Sequence, residues 1–599
     1  MHAAQDLTKA SVLKLRLEIA SAINSRLSTH EGFAEAVHEA ISQVTTGLLN
    51  ALGIPAKMSV EIAPMSEETV DYPLLRVSVN GRPCFYPREL LQRSFSYVSD
   101  EILGPAVIPQ EILQRLNSLL DSQPENVDAA TRQKVAEFFS SACLEIVKKY
   151  PTFLFGIEQA EAYLASLSEN PDAQIESWPP APTWLLPILH RVLELKISIA
   201  EQEIVLAALV AGITDNRTQE DIAEDLIIDL RPKVIEIHVP EQHLRELTLL
   251  GLPDEDQLFP KLRDILFFEM GQHLPAFQFV TDDNLRPGSF AFKINHLLTQ
   301  PWVGLRANQY LVRETPANLK QAGIEAEAGA NPSNLGEHSI ITSEVQQKAE
   351  ALGHIVLDRM HYLALCFAAD LHANSAALLD RTLVQEQLAV FEQTAPALLS
   401  MLEARVSIDH ITRVLRALLA EDISLRGLQK ILEAILNYDY ITATPSPHII
   451  VDERLIFPVE PSEEWLNDAV NVASFVRIKM KRYISAKYKR DSSVLPVFMV
   501  DQDLEKLITE LQLSEIEGEG KQPAHNEAHY DRILKAVRTE INKWPSSLML
   551  PVILTYTNSV RPRLRKIVAT EFPNLYVLSI NEILSQTNIQ PISRISFNT

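Results

Sequence analysis

The 599-residue sequence is poor in cysteine, with Cys84, Cys143 and Cys366 far apart and no CxxC pair. A disulfide framework and a thiolate zinc site both need closely spaced cysteines, so the sequence predicts neither. Isolated cysteines behave as small buried apolar residues, and reduced thiols persist in the cytoplasm. We therefore expect three buried free thiols in a cytoplasmic protein.

Positive charge and long apolar runs are also scarce. Lys and Arg number 54 against 78 Asp and Glu, which gives a formal net charge of −24. Phosphate binding needs a cationic surface, so the whole chain is not expected to coat a nucleic acid. The longest uncharged stretch, 544–560, has 17 residues and two prolines, whereas a membrane-spanning helix needs about 20 apolar residues. The sequence predicts no transmembrane segment.

The motifs of common catalytic sites are missing as well. GEGKQ at 518–522 lacks the spacing and the Ser or Thr of a phosphate-binding loop, and neither GxSxG nor HExxH occurs. His525 and His529 would face a metal together on a helix, but no third ligand accompanies them. Acidic residues are scattered, so no carboxylate pair stands out for acid–base chemistry. We predict no enzyme activity, no metal site and no cofactor.

What the sequence does contain is mostly helical periodicity, in a chain that is 46% hydrophobic. Strand patterns are fewer and lie among the helices, at 77–79, 234–239, 290–294, 494–500, 550–555 and 575–579. Such a mixture is typical of separate α+β domains rather than a sandwich. We predict an α+β multidomain fold that is rich in helices, with small mixed sheets and helical subdomains.

Two helix pairs indicate an internal repeat. Residues 188–211 and 411–436 share an amphipathic pattern that is broken at 197–199 and at 423–425. At an offset of 226 residues the apolar positions coincide: Leu189 with Leu415, Val192 with Leu418, Leu206 with Leu432 and Ala208 with Ala434.

A second match lies upstream of the first. LGIPA at 52–56 resembles the stretch that ends in HLPA at 273–276, and LLRVSVNG at 74–81 resembles SFAFKINH at 289–296. Two matches in the same order predict a degenerate N-terminal duplication. The alternative is two unrelated segments that share amphipathic patterning.

Five stretches from residue 258 onward carry a further pattern. They lie at 258–296, 349–358 (AEALGHIVLD), 406–435, 495–508 and 550–583. In this order they resemble the cytosolic region of the export-gate proteins of type III secretion, the FHIPEP family, in which AEALGYTVVD corresponds to the second stretch. The family's membrane-spanning half has no counterpart here. The resemblance therefore implies a soluble paralogue of the cytosolic part, which is not itself the membrane channel.

The resemblance and the repeat together divide the chain into six parts. The first two are degenerate copies of the family's first and helical subdomains, and the others are its first, inserted, helical and C-terminal α/β subdomains. In that order the predicted bounds are 1–150, 151–222, 223–313 with 345–380, 314–344, 381–442 and 443–599.

The resemblance also implies a function. Family members receive chaperone–substrate complexes in a cleft between subdomains, here walled by the strand 289–295 and a loop-rich insertion at 314–348. The implied partner-binding residues are Asp283, Asn284, Phe290, Phe292, Val356 and Asp358. The two phenylalanines have a second interpretation as core residues, since one face of a strand must be buried.

The implied partners are secretion substrates, chaperones or subunits of the export apparatus, and the implied assembly is a ring-like or stacked homo-oligomer. One alternative is a scaffold or adaptor in a different bacterial system that reuses the domain without a secretion role. Another is an enzyme or nucleic-acid binder with a site that no motif reveals.

One basic tract runs against the acidic balance of the chain. It runs from Arg477 to Arg490 and holds seven cations and no acidic residue, with Tyr483 and Tyr488 between the cations. A tract of cations and aromatic residues can bind a nucleic acid, and it can also bind an acidic surface of a partner protein. The simplest interpretation is a helix with one solvated basic face. The cations are Arg477, Lys479, Lys481, Arg482, Lys487, Lys489 and Arg490.

Overall fold

A computed structural model describes most of the chain, in two compact units. One unit comprises 1–260 and 275–371, and the other comprises 261–274 and 372–599. The described residues are 11–21, 23–25, 33–65, 74–102, 112, 114–116, 129–168, 178–249, 255–332, 337–443, 469–489, 492–516, 523–544 and 552–597.

The first sheet of the first unit has the strand order β2-β1-β3-β4, with β1 parallel to β2 and antiparallel to β3. Helix α1 (Phe33–Leu52) connects the two parallel strands. Every second residue of β1 from Leu13 to Ile19 is buried, which is the pattern of a strand with one face on a core. The strands are β1 (Ser11–Ile19), β2 (Ala56–Pro64), β3 (Leu75–Val79) and β4 (Arg82–Cys84).

A series of helices covers this sheet. One hydrophobic core runs from Leu13 to Leu230, so it continues through α7, past the predicted boundary at residue 222. We call residues 11–230 the N-terminal region. The helices are α2 (Arg88–Ser99), α3 (Ala129–Val147), α4 (Ile157–Ser168), α5 (Pro182–Glu194), α6 (Gln202–Thr214) and α7 (Gln219–Leu230), with a 3-10 turn at Pro151–Leu154.

The second sheet has the order β6-β5-β7-β8, and β9 also pairs with β7. Strand β5 is parallel to β6 and antiparallel to β7. Helices α8 (Glu241–Leu249) and α9 (Glu255–Met270) connect β5 to β6, and α12 (Arg359–Ala373) packs on β7 through Phe367. The strands are β5 (Val234–Val239), β6 (Ala276–Thr281), β7 (Ser289–Ile294), β8 (Leu297–Leu298) and β9 (Trp302–Val303).

The predicted insertion is a small folded α/β unit. Its sheet has the order β11-β12-β10-β13 and its own core of Val312, Leu319, Ile324, Ile341 and Ala349. The prediction that 314–348 is rich in loops is wrong for these elements. Small residues such as those of EAGA at 327–330 form a strand although they lack a strand-like sequence pattern. The elements are β10 (Gln309–Val312), α10 (Pro316–Gln321), β11 (Glu327–Ala330), β12 (Glu337–Thr342), α11 (Ser343–Ala351) and β13 (Val356–Leu357).

The second unit begins with helices and ends with a sheet of parallel strands, β16-β15-β14-β17. The helices before the sheet are α13 (Arg381–Glu392), α14 (Pro396–Glu403), α15 (Ile408–Ala420), α16 (Leu428–Ala443), α17 (Ala469–Lys479) and α18 (Lys481–Lys489), with 3-10 turns at Ser375–Leu378 and Leu425–Gly427.

The sheet of the second unit alternates with helices. The predicted loop at 515–531 is helical from Pro523 onward, while 517–522 lie outside the described residues. Across the described ranges, no helix is both long and apolar enough to cross a bilayer. The elements are β14 (Val494–Val500), α19 (Gln502–Ile516), α20 (Pro523–Ile541), β15 (Val552–Thr555), α21 (Val560–Ala569), β16 (Val577–Ser579), a 3-10 turn at Ile580–Glu582, and β17 (Asn588–Ile595).

Both predicted helix pairs break where the sequence indicated. We call 195–201, between α5 and α6, elbow 1, and 421–427, between α15 and α16, elbow 2. Lys196 and Asp422 occupy the left-handed region, at φ 59° and 58°. Two residues after each, a serine Oγ accepts a backbone N–H: that of Ala200 in elbow 1 and that of Arg426 in elbow 2.

A glycine lies directly against each elbow. A Cβ on Gly53 would lie 2.4 Å from the Ala200 nitrogen, and one on Gly271 would lie 2.3 Å from the Arg426 nitrogen. Both glycines also have positive φ, 74° and 76°. Only glycine tolerates both constraints, so each elbow packs on a helix end that must lack a side chain.

Candidate functional site

The β6–β7 turn carries two predicted partner-binding residues, Asp283 and Asn284, and both are exposed. Asp282 holds the turn, since its Oδ1 accepts hydrogen bonds from the backbone and side-chain N–H groups of Asn284, each at 3.0 Å. The backbone N–H of Asp282 donates to the Val239 carbonyl at 2.9 Å. The exposed pair therefore has a rigid support.

A buried histidine connects this turn to the sheet. His238 Nδ1 lies 3.1 Å from Asp282 Oδ2, and its Nε2 lies 2.8 Å from Glu236 Oε2. Lys293 on β7 contacts the other Glu236 oxygen at 3.1 Å. Burial alone raises the pKa of both carboxyl groups, but hydrogen bonds, first from His238, outweigh it and lower the pKa of Asp282 and of Glu236. The sequence pattern missed this cluster, because only the sheet brings Asp282 to His238.

Asp358 caps the N-terminus of α12. Its Oδ1 accepts the His361 backbone N–H at 2.9 Å and lies 2.8 Å from His361 Nδ1. The hydrogen bond between the two side chains lowers the pKa of Asp358 and raises the pKa of His361. Because Asp358 is also exposed, its carboxylate is fixed in place and open to a partner.

The residues next to Asp358 in sequence make contacts with α8 and with the inserted sheet. Arg359, next in sequence, has Nη2 3.5 Å from His243 Nδ1, and both side chains are buried. His243 belongs to α8, which starts just after β5. Val356 is half-buried and pairs with Val312 in the inserted sheet. The segment around Asp358 thus packs both on α8 and on the inserted sheet.

Phe290 and Phe292 belong to the core. Each is at most 1% exposed, and the Phe292 ring lies 4.7 Å from the Phe367 ring. Strand β7 is flanked by β5 on one side and by β8 and β9 on the other, and its residues are buried on both faces. Neither ring is accessible, which corrects the prediction that these two residues contact a partner.

The basic tract is not a continuous surface. Arg477 is 1% exposed, and Tyr488 is buried. Lys487 lies 2.7 Å from Asp422 Oδ2, and Lys479 lies 4.9 Å from the centre of the Phe475 ring. Lys481 and Arg482 are exposed, Lys489 is half-buried, and Arg490 lies outside the described residues. The predicted patch therefore loses Arg477, and Lys487 is already paired.

Arg477 belongs instead to a buried charge cluster in the second unit. Its Nε lies 2.9 Å from Glu582 Oε1, and its Nη1 lies 3.1 Å from Glu421 Oε2. Arg561 contacts the same two glutamates. Burial raises the pKa of Glu421, but the charges of Arg477 and Arg561 outweigh it and lower that pKa. Two cations and two anions compensate one another here, so we interpret the cluster as stabilising the fold of the second unit.

A cavity of about 60 Å³ lies beside Arg93 and Trp302, whereas small-molecule sites have roughly 300–1,000 Å³. Within the part of the chain that the structure describes, no group of three His, Cys, Asp or Glu side chains is placed to hold a metal. His529 lies in α20, and the side chain of His525 is outside the described set. Of the six predicted partner-binding residues, the three that are exposed are Asp283 and Asn284 in the β6–β7 turn and Asp358 at the start of α12.

Comparison with known proteins places the candidate site within a matched region. The FHIPEP family model matches residues 256–588, which is more than half of the chain. The low calcium response locus protein D of Yersinia pestis is 24% identical over 369 residues. These residues make up 61% of this chain and 47% of that protein, so the chain spans about half the length of this relative.

Two solved structures are similar as well. The Chlamydia pneumoniae CdsV protein is 21% identical, with 60% of this chain and 97% of that chain covered, at a TM-score of 0.49. The nonameric EscV cytosolic domain from the type III secretion system is 17% identical, with 61% and 97% covered, at a TM-score of 0.43.

Proposed function

The chain belongs to the FHIPEP family, and from this premise we propose that it is a non-enzymatic protein-binding component of a type III protein-export system. Its ligands are secretion substrates, their chaperones or subunits of the apparatus. They bind at the surface formed by Asp283, Asn284, Val356 and Asp358. The alternative is a scaffold in another bacterial system that reuses the domain without a secretion role.

The observation that carries this proposal is the fixed, exposed carboxylate of Asp358. It is held by two hydrogen bonds from His361, so little side-chain entropy is lost when a partner binds. Exposed charges across an interface contribute mainly to specificity and to association rate. A partner with complementary basic groups fits such a surface.

The test separates the charge of Asp358 from its capping role. Asp358→Asn keeps an N-cap of equal quality and removes the charge, whereas Asp358→Lys removes both. We expect both variants to capture less partner from the native host in a pull-down with the full chain, and Asp358→Lys to have the lower melting temperature.

A matched control is Asp503→Lys, which changes an exposed aspartate in the other unit whose side chain is 70% exposed. It should leave capture unchanged. An unchanged partner set with Asp358→Asn and Asp358→Lys would discard this surface. Loss of all partners with Asp503→Lys as well would show that net charge, not this site, governs capture.

We also propose a ring-like or stacked homo-oligomer as the assembled form. The family resemblance implies it, and a head-to-tail contact between copies closes into a ring only at a set rotation. Sedimentation at several concentrations tests it. A single species of 67.2 kDa throughout would contradict self-assembly.

The N-terminal region is, in our proposal, a degenerate copy of the first and helical subdomains. The identical orders β2-β1-β3-β4 and β6-β5-β7-β8 support it, as do the same parallel and antiparallel pairings. Asn80 and Asn295 follow corresponding strands, and both are left-handed, at φ 50° and 55°.

The elbows support the same proposal. In elbow 1 the N–H groups of Lys196 and Ile197 donate to the carbonyls of Leu193 and Val192. In elbow 2 the N–H groups of Asp422 and Ile423 donate to those of Leu419 and Leu418, at the constant offset of 226. Superposition of residues 11–84 on 234–298 in a crystal structure tests the duplication, and a different strand order there would remove it.

A further inference from the structure

An exposed face that is both apolar and cationic adjoins elbow 2 in the second unit. Phe268 and Ile265 of α9 are 62% and 53% exposed, and Tyr483 of α18 is 37% exposed. The guanidinium carbon of Arg426 lies 3.5 Å from the centre of the Phe268 ring. Burial raises the pKa of Tyr483 and the charge of Arg426 opposes that rise, so the arginine lies near both rings. We call Ile265, Phe268, Arg426 and Tyr483 the elbow-2 face.

The backbone of an elbow does not depend on these side chains, because elbow 1 has the same conformation without them. The positions to compare lie six and three residues before each elbow glycine and two residues after each elbow serine, and all are exposed. They are Ile265, Phe268 and Arg426 at elbow 2, and Gly47, Asn50 and Ala200 at elbow 1. Large apolar side chains that are exposed together and are not needed for the fold indicate an interaction site.

A second difference between the two elbows is the connection that follows each helix pair. A third helix packs on both helices of each pair, α7 on α5 and α6, and α17 on α15 and α16. Four residues, 215–218, connect α6 to α7, whereas 25 residues, 444–468, connect α16 to α17. The Tyr438 and Phe475 rings lie 5.3 Å apart, so α16 and α17 lie side by side near the ends that the connection joins. About 2–8 residues usually connect such helices.

The long connection, 444–468, lies outside the described residues, and its sequence is both acidic and apolar. It holds six acidic residues against one cation, Arg454. Its apolar residues form the runs IIV at 449–451 and LIFPV at 455–459, and Trp465 follows. Solvated connections are polar, and apolar runs of this kind call for a surface that covers them.

The elbow-2 face lies within reach of this connection. Helix α16 begins at elbow 2 and has 16 residues, so its other end lies about 24 Å from the elbow. The middle of the connection is 12 residues from either end, and 12 residues of extended chain span up to about 40 Å. The run 455–459 can therefore reach elbow 2 and return.

Charge favours the elbow-2 face over an alternative surface of the second unit. Val390 of α13 and Met401 of α14 are also exposed, but the exposed acidic residues of those helices repel an acidic segment. These acidic residues are Glu386, Glu392 and Glu403. At the elbow-2 face the exposed charges next to Tyr483 are the cations Arg426, Lys481 and Arg482, which attract the same segment.

From these observations we infer that residues 444–468 dock on the elbow-2 face of their own chain, with apolar residues of 455–459 against Phe268 and Ile265 and with acidic residues beside Arg426. Attachment at both ends gives the segment an effective concentration on the order of millimolar, so a contact within the chain forms before one between chains. The exposed cations of the basic tract then have their acidic partner in the same chain. The inference goes beyond the proposed function and does not involve Asp358.

The first test is limited proteolysis of the full-length chain. Trypsin cuts within 444–468 only after Arg454, since the segment has no other Lys or Arg. We expect Phe268→Ser with Arg426→Glu, which changes the face, to speed this cleavage several-fold. Ile456→Ser with Phe457→Ser changes only the segment and should have the same effect.

The matched control is Met401→Ser with Arg405→Glu, which removes an exposed apolar side chain and reverses an exposed cation elsewhere in the second unit. It should leave the rate of cleavage after Arg454 unchanged. An unchanged rate in the variant of the face would overturn the docking. Equal acceleration by the control would also overturn it, because net charge rather than this face would then govern access to Arg454.

The second test identifies the occupant. With the photo-crosslinker benzoylphenylalanine in place of Phe268 in the purified full-length chain, we expect a crosslink to 444–468, mapped by mass spectrometry, in a species of 67.2 kDa. The same group in place of Tyr556, which is 53% exposed in the same unit, should not crosslink to that segment. A crosslink found only in a species of twice the mass would assign the face to a second copy. That result, or no crosslink from position 268 to 444–468, would overturn the inference.

The outcome is independent of the proposed function. Capture of host partners through Asp358 should persist in every one of these variants. Loss of docking with capture intact would therefore contradict only the present inference, and loss of capture by Asp358→Asn with docking intact would leave it standing.

Discussion

Elbow 1 and elbow 2 follow the same backbone path under chemically different covers. Each has a left-handed residue, a serine two positions later and a glycine pressed against it. Neutral groups of Asn295 and His296 cover elbow 1, whereas Lys487 and the charge cluster around Glu421 cover elbow 2. The backbone conformation of the two elbows is the same, while the side chains that contact each elbow differ with the neighbouring elements.

The largest effect that would sharpen this comparison is expected in the charged cover of elbow 2. Arg477→Met leaves the buried Glu582 and the partly buried Glu421 with half of their compensation. We expect a loss of about 3–5 kcal/mol in the free energy of unfolding of the second unit, measured by urea denaturation and hydrogen exchange.

Lys481→Met is the matched control, because it removes an exposed cation four residues away in the same tract. It should change the free energy of unfolding by no more than about 0.5 kcal/mol. Equal losses from the two variants would show that the tract acts as one charged surface after all.

The glycines come next, and they test whether the two elbows are equivalent. Gly53→Ala and Gly271→Ala should each cost about 2–4 kcal/mol, since a left-handed alanine and a backbone overlap add together. Gly81→Ala, with φ 79° and no atom within 4 Å of its Cβ, should cost only about 1–2 kcal/mol. Hydrogen exchange of Ser198 and Ser424 reads each elbow separately, and a loss at one elbow alone would break the equivalence.

The sequence predicted much of this architecture because the helix pairs are amphipathic. Positions matched at the 226-residue offset, such as Leu189 with Leu415 and Val192 with Leu418, are buried in both helix pairs. Strands β5 and β14 have the predicted bounds, because both are runs of mostly β-branched and apolar residues. The coarse class, helices with small mixed sheets, is thereby confirmed.

The missed features depend on partners distant in sequence. Strand β1 is absent from the predicted strands, because charged residues on its exposed face interrupt its apolar residues. The burial of Arg477 follows from Glu421 and Glu582, which only the fold brings to it. The cluster of His238, Glu236 and Asp282 likewise requires the parallel pairing of β5 with β6. Local pattern does not encode such contacts.

A smaller, pH-dependent effect should separate the two elbows. Burial lowers the pKa of His296, which favours the neutral ring whose Nδ1 accepts the Ser198 N–H. Stability from such a group is complete above its ordinary pKa of 6.5 and is lost as the pH falls through the lower folded value. The pKa of Glu421 is also lowered, from 4.5, so its contribution is lost only in more acidic solution.

Elbow 1 should therefore open at a higher pH than elbow 2. The measurement is hydrogen exchange of the Ser198 and Ser424 amides between pH 7 and pH 4, corrected for intrinsic rates. His296→Asn removes the titrating ring and should abolish the change at Ser198 that follows as the pH falls below 6.5, without affecting Ser424. Simultaneous opening of both elbows would show that their covers do not act locally.

The smallest expected effect concerns the serines themselves. Ser198 Oγ accepts the Ala200 N–H at 3.2 Å, and Ser424 Oγ accepts the Arg426 N–H at 3.4 Å. Each bond is local and neutral, so Ser198→Ala and Ser424→Ala should each cost about 0.5–1 kcal/mol, at the low end for a lost cap. Thr539→Ala removes a hydroxyl at a half-buried helix position, where it donates to the Lys535 carbonyl of the same helix, and should change the free energy of unfolding by less than about 0.5 kcal/mol. If the cover rather than the backbone sets the strength of these bonds, the two serine variants will differ, and the closer bond of Ser198 should then be the costlier one to lose.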